Sequence, residues 1–388
     1  AGLAPLAQQI LLDIYPEEKH GIAMSWFTVG IMFGLVAGPT LGGVIVEYYS
    51  WRWVFLINVP IAMLAFLLIL LFVPEGEKDK TRHFDVFGFV ALSIAITCMQ
   101  LVLDRGGKLD WLDSYEIIIE LAIGATALYV FIVHILTTRQ PFVNPALFMN
   151  TNFILGLLLV FSLGIMIYGY VGFFPSMLQT QMNYPPLTTG IAMAPRGIAT
   201  AICSVLAGWM LTRMQPRTVM VIGLAGMALS TWHMTRFTPD VDYYWMMAVI
   251  SLQGGMMGMV SVCIATATFA TLSKIERADG ISFFNLLRKM GSSVGVSLLV
   301  SQLVQNSQTN RSSIVESVTP YDERFSLVPM PQTWSLGDAS GLAAIEQAVL
   351  KQAEFIAYTQ DFWLLTVIAI AMIPVALMLG RRRSGPTG

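Results

Sequence analysis

Two arginines stand inside apolar sequence: Arg196 in IAMAPRGIA, and Arg288, with Lys289 beside it, in NLLRKMGSSVG. A fixed cation in a helix facing hydrocarbon is costly unless it pairs, faces a water-filled space or snorkels to a headgroup. Such a residue offers electrostatic switching, attracting an acid in one state and releasing it in another. For Arg288 and Lys289 both snorkelling and a functional role stand open. Around Arg196, Pro195 and Gly197 suggest a local kink with the guanidinium facing a cavity. Arg213 and Arg217, in GWMLTRMQPR, join two apolar stretches through a tight turn. There they can cap helix C-terminal carbonyls, pair with acids on nearby loops, or simply anchor the junction. A soft lining is available from Met166, Tyr168, Tyr170, Phe173 and Phe174 in IMIYGYVGFFPSM, and from Gln253, Met256 and Met257 beside Gly254 and Gly255, with Asn285 as a further polar group. Met and aromatic side chains repack around varied apolar ligands. The same residues serve equally well as lipid-facing filler.

The elements that would position these groups are long apolar helices. The chain has 388 residues, 55% hydrophobic and 12% charged, with mean hydropathy +0.67. Ordinary soluble domains carry about 25% charged residues, so the composition points to an integral membrane protein. Crossing roughly 30 Å of hydrocarbon takes about 20 residues. Stretches of this kind fall at 1–14 (partial), 22–46, 54–73, 86–104, 116–137, 153–182, 188–212, 217–236, 243–272, 281–305 and 362–380. They are too long and too evenly apolar for barrel strands, so helices are expected. Lys19, Lys78, Lys80, Arg82, Arg139, Arg213, Arg217, Lys274, Arg277 and Arg381 to Arg383 collect on one side. Arg52, Arg105, Lys108 and Arg236 fall on the other. The richer side is expected to be cytoplasmic, with the C-terminus inside and Ala1 outside. The chain opens on Ala1 in mid-helix, with no charged n-region or cleavage site, and reads as truncated at its N-terminus rather than led by a signal peptide.

One stretch, GLVAGPTLGG, spaces Gly34, Gly38 and Gly42 four residues apart, with Gly43 adjoining. On a helix these make a face without side chains, which lets a neighbouring helix approach closely. Pro39 removes the N–H that would reach Leu35, and a bend is expected there. Loop 306–361 is the one sizeable polar segment. Within it 341–358 has a helical pattern, Leu342, Ile345, Leu350 and Ile356 forming one face, which suits either a flap on the membrane surface or a docking surface. PEEKHGIAMSW and KIERADGISFF echo one another before glycine-spaced helices, the signal of two related halves.

Other chemistries find little support. Cys98, Cys203 and Cys263 lack CxxC spacing and His neighbours, and read as packing residues. His134 and His233 stand near span ends and read as core or interfacial. No metal motif or recurring intraspan acid pair suggests an enzyme, and the net charge of −2 gives no footprint for nucleic acid. Asp104 and Arg105, in LDRGGKLDW, are expected to form an ion pair at a helix stop.

GLVAGPTLGG after PEEKHG resembles the antiporter motif of major facilitator drug exporters. SWRWVFLINVP, LDRGGKLDW, MAPRG and LLRKMGSSVG extend the likeness over essentially the whole chain, which is similar to the EmrB-like group of 14-span drug:proton antiporters. GWMLTRMQPR partly matches that superfamily's loop motif G-x-x-x-D-R-x-G-R, with Thr212 where the pattern has Asp. The resemblance implies an all-α integral membrane fold of two helical bundles plus two linker spans. Residues 1–85 would complete an N-terminal bundle lacking its first three spans, 86–152 the linker spans, and 153–388 a six-span bundle. It also implies proton-driven export of amphipathic drugs, with the proton gradient as energy source and no cofactor. The setting would be the inner membrane, with a periplasmic adaptor and an outer-membrane channel as partners. The coupling acids are expected upstream of Ala1. The alternative is a facilitator-type transporter of a siderophore or metabolite.

Overall fold

The structure, a computed structural model, describes residues 3–72, 85–107, 109, 111–138, 145–317 and 338–379. Every regular element among them is helical. Eleven helices follow one another: α1 (Leu3–Ile14), α2 (His20–Tyr48), α3 (Trp51–Phe72), α4 (Val86–Gly106), α5 (Tyr115–Thr137), α6 (Thr151–Thr180), α7 (Pro186–Met210), α8 (Pro216–Met234), α9 (Tyr243–Phe269), α10 (Lys274–Ser317) and α11 (Ala339–Met378). Each overlaps one of the eleven apolar stretches, although α10 and α11 extend well beyond theirs. Seven of them, α3 to α7, α9 and α11, are long and apolar enough to cross a membrane.

Local sequence explains where the helices begin. Asp85 Oδ1 accepts from Gly88 N at 2.9 Å to cap α4. Asn150 takes the first free N–H groups of α6, and Asp242 caps α9 through Trp245 N at 2.9 Å. Pro186 and Pro216 open α7 and α8, where a missing N–H has no intrahelical partner to lose. At α10, Ser273 N and Oγ donate to Glu276 Oε2 at 3.0 and 2.7 Å, and Glu276 N donates back to Ser273 Oγ at 3.4 Å. That is a capping box. The bonds from the Ser273 hydroxyl and N–H hold the Glu276 carboxyl below the usual carboxylate range.

The core lies among α6 to α11. Packing is heaviest between α7 and α9 and between α2 and α7, followed by α6 with α10 and α8 with α9, while α11 packs on both α8 and α10. α2 lies along α7, α4 and α5 pack mainly on each other, and α3 buries nothing. The most apolar helix is thus the least enclosed by protein, which fits a lipid-facing surface.

Loop 306–361 is replaced by helix over its described length. α10 runs 44 residues and α11 40, about 66 and 60 Å at the usual rise, so both outrun a bilayer. Asn310 Nδ2 donates to Ala353 O at 3.3 Å, and Arg311 Nε to Glu346 Oε1 at 2.8 Å, tying the overhanging parts into a hairpin. The helical piece at 341–358 is the start of α11 itself and not a flap on the membrane surface. Its buried face is Gly341, Ile345, Val349 and Ala353, while Leu342 and Leu350 are exposed. The expected apolar face is corrected because a partner helix selects residues four apart. Residues 318–337 and the arginines at 381–383 lie outside the described residues, as do Lys78, Lys80, Arg82, Lys108 and Arg139.

Candidate functional site

Arg196 is brought together with part of the expected lining. It is 9% exposed. Its Nε donates to Gln253 Oε1 at 3.0 Å, an Nη reaches Met257 Sδ at 3.6 Å, and the guanidinium carbon lies 5.6 Å from the Tyr170 ring centre. Gly254 makes this possible, since a Cβ there would fall 2.5 Å from Arg196 O. The guanidinium is therefore enclosed between α6, α7 and α9 and does not open on a cavity. No acid pairs with it among the described residues.

Its neighbours on α6 reflect a local change of helix type. Gly169–Phe173 forms a π-turn, a geometry often found at functional sites. Met166, Tyr170, Phe173 and Phe174 are all buried. Phe173 lies 4.6 Å from the Tyr358 ring and Phe174 6.1 Å from Phe362, both on α11. These aromatics are part of the buried core. Met256 lies against Gly226 of α8. The Tyr168 side chain lies outside the described residues.

Arg288 and Asn285 form a second cluster, apart from the first. Arg288 donates an Nη to Asn285 Oδ1 at 2.9 Å, and Asn285 Nδ2 donates to Gln8 Oε1 at 2.9 Å. Gln8, on α1, is 2% exposed and also reaches Met24 Sδ. A side-chain chain thus links α10 with α1 and α2. Gln8 escaped the sequence reading, although a polar residue within the apolar run of α1 was the available signal. Arg213 lies over the Trp209 ring at 4.5 Å. Neither Arg213 nor Arg217 has an acid partner among the described residues.

One pairing differs from expectation, and a second adds a partner from a distant part of the sequence. Arg105 pairs with Glu116 and Glu120 of α5, while Asp104 accepts from Gln100. A carboxylate on the neighbouring helix reaches the guanidinium that the adjacent Asp104 leaves free. His134 Nε2 sits 3.0 Å from Asp85, giving it a partner 49 residues upstream. His233 lies against the Trp232 and Trp245 rings. The three cysteines are free.

Gly34, Gly38 and Gly42 meet no atom within 4 Å of a Cβ position. Helix α2 instead meets α7 through Gly21, against Leu211, and Gly43, against Pro186 and Leu187. The backbone stays helical through 38 and 39. A separate cleft of about 710 Å³ lies between α4, α5 and α10, lined by Leu92, Met99, Leu128, Phe283 and Leu287, with Glu120 at its edge.

The family model of the Major Facilitator Superfamily matches residues 1–296. The chain belongs to the Major Facilitator Superfamily. Membership makes it a multi-pass membrane transporter rather than an enzyme. It is 30% identical over 377 residues to multidrug export protein EmrB of Escherichia coli strain K12, covering 96% of this chain and 73% of that one. It is 29% identical over 364 residues to EmrB of Haemophilus influenzae, covering 93% and 71%. The fatty acid resistance protein FarB of Neisseria gonorrhoeae is 29% identical over 380 residues, covering 96% and 74%. The chain is an EmrB-like facilitator.

Proposed function

We propose that this transporter exports amphipathic drugs or toxic compounds across the inner membrane in exchange for protons. The observation that carries the reading is the 30% identity to a multidrug export protein over 96% of the chain. Supporting it, the polar groups around Arg196 are few, and the groups near them are methionine and aromatic. A dedicated sugar or acid site would call for more buried polar partners. Arg196 and Arg288 are candidate coupling groups, Arg213 and Arg217 candidate gating groups, and Gly34, Gly38, Pro39, Gly42 and Gly43 the antiporter helix. Residues 1–85 and 153–388 act as two bundles flanking a linker pair at 86–152. The C-terminus is cytoplasmic and the α10–α11 hairpin periplasmic, where an adaptor leading to an outer-membrane channel would engage.

The test is accumulation of an amphipathic cationic dye in proteoliposomes under an imposed pH gradient. Dye movement that follows the gradient and stops with an uncoupler is expected. Movement indifferent to the gradient removes proton coupling, and no movement of any amphipathic dye removes the drug-export reading. For sidedness, cysteines replacing Ser312 and Ser384 in a Cys-free background should label oppositely with an impermeant thiol reagent. Equal labelling in intact cells overturns the orientation.

A further inference from the structure

α11 carries a buried stripe of residues four apart: Gly341, Ile345, Val349, Ala353, Ala357, Asp361, Leu365 and Ala369. One of them is a carboxylate. Asp361 is 0% exposed, and among the described residues neither of its oxygens has a hydrogen-bond partner. Its surroundings are closed: on the same helix Tyr358 meets Phe173 and Phe362 meets Phe174, while Leu365 lies against Gly169 of the π-turn. An ionised carboxylate stripped of water, donors and counter-ions is not held in place in such surroundings; the group takes a proton instead.

The ionisable groups on the packed elements leave this conclusion intact. On α8 these are Arg217 at one end and His233 at the other, with Arg236 just beyond; His233 meets the Trp232 and Trp245 rings edge-on, and Arg236 lies over the Trp232 ring. On the overhanging part of α10, Arg311 is paired with Glu346. Glu276, Arg277, Asp279, Arg288 and Lys289 stand near the opposite end of α10. On α6, Tyr170 lies under Arg196. On α11 itself the nearest is Tyr358, whose hydroxyl reaches Ser176 at 3.5 Å. Among the described residues no cation is bonded to Asp361.

We propose that Asp361 is a proton-binding site on the last helix, neutral while α6, α8 and α10 close over it. It releases its proton when the hairpin end of α11 parts from them and water enters. The step breaks the carboxyl O–H bond and passes the proton to that water, with no redox change. The proposal deepens the proton-exchange reading of the chain and supplies an acid within the chain itself, where the sequence pointed only upstream. The wedge is the π-turn, whose register shift brings Phe173 and Phe174 against α11 on either side of Asp361.

The experiment uses the purified chain in lipid nanodiscs. Infrared spectra at neutral pH should contain the C=O stretch of a neutral carboxylic acid that disappears in Asp361→Asn and shifts in Asp361→Glu. Asparagine keeps the shape of the neutral acid, so the variant should elute and melt like the parent; should it not fold, the glutamate variant carries the same readout. In weak buffer with a pH dye, adding tetraphenylphosphonium should release protons from the parent and lose that release in Asp361→Asn. Absence of the neutral-acid band overturns the proposal, as does undiminished proton release from Asp361→Asn. A carboxylate band together with weakened tetraphenylphosphonium binding in the variant also overturns it, making Asp361 a site for the cation. If the parent releases no protons but the band is present and is lost on raising pH, the proton site stands and the exchange reading falls.

Discussion

Two glycine-spaced helices in this chain have opposite surroundings. On α10, a Cβ at Gly291 would run into the carbonyl of Phe161, and one at Gly295 would fall 2.7 Å from Ile165 Cα. α6 answers with Gly164, itself laid on the backbone of Arg288. On α2, the Gly34, Gly38 and Gly42 positions meet nothing within 4 Å among the described residues. Glycine spacing permits backbone contact but does not supply the partner. The seam that closes is the one with glycines on both helices.

The sharpest way to break this comparison is Gly291→Leu. The side chain has only the α6 backbone to displace, so the cost should lie at the upper end of about 1–3 kcal/mol or above it. Loss of the monodisperse peak in detergent, or a large drop in melting temperature, is the expected result. A variant that melts like the parent would mean the α6–α10 seam is looser than described.

A smaller effect is expected at the start of the same helix. Ser273→Ala removes the hydroxyl half of the capping box and should cost about 0.5–2 kcal/mol in thermal or chemical unfolding. The box also carries a pH signature. Because the Glu276 carboxyl is held below its ordinary value by Ser273, its contribution is present above the unfolded-state value and is lost as pH falls through the folded one. Glu276→Gln should flatten that acid-side loss, and an unchanged acid limb would remove Glu276 from the cap.

The smallest effect on stability belongs to the open stripe. Gly38→Leu should change the melting of this chain by no more than about 0.5 kcal/mol, as for other surface substitutions. The bare sequence pattern points to a clash there instead. If Gly38→Leu destabilises the chain as much as Gly291→Leu, the stripe has a partner in solution. Dye export measured on the same variant then separates a transport role from a packing one.

Much of the fold was legible because bilayer-length apolar runs leave little choice but helices. Each of the eleven helices overlaps one of those runs, with α10 and α11 extending beyond theirs, and glycines 291 and 295 sit where close packing was permitted. What the sequence hid was mutual. Period-four spacing at Gly34 and at Gly291 looks alike in one dimension, and only the partner distinguishes them. Arg196 was visible as a cation in apolar sequence, but Gln253 and Tyr170, which enclose it, come from α9 and α6. Asp361 was passed over for a plainer reason. It stands between a polar segment and an apolar span, where an acid is expected to face water. Only the continuation of α11 through that boundary shows it turned inward.

That continuation has a mechanical consequence. α11 is one 40-residue helix with a proline only near its far end, at Pro374. It therefore behaves as a stiff rod whose overhanging arm is comparable in length to its embedded one. In a rod that pivots about its middle, a push of a few ångströms at the hairpin tip would be returned, with opposite sign, at the other end. Asp361 sits near the middle of that rod, where a tilt would displace it least and would itself decide whether the carboxyl stays covered. A partner gripping the tip would need no contact with the transport path to be felt within it.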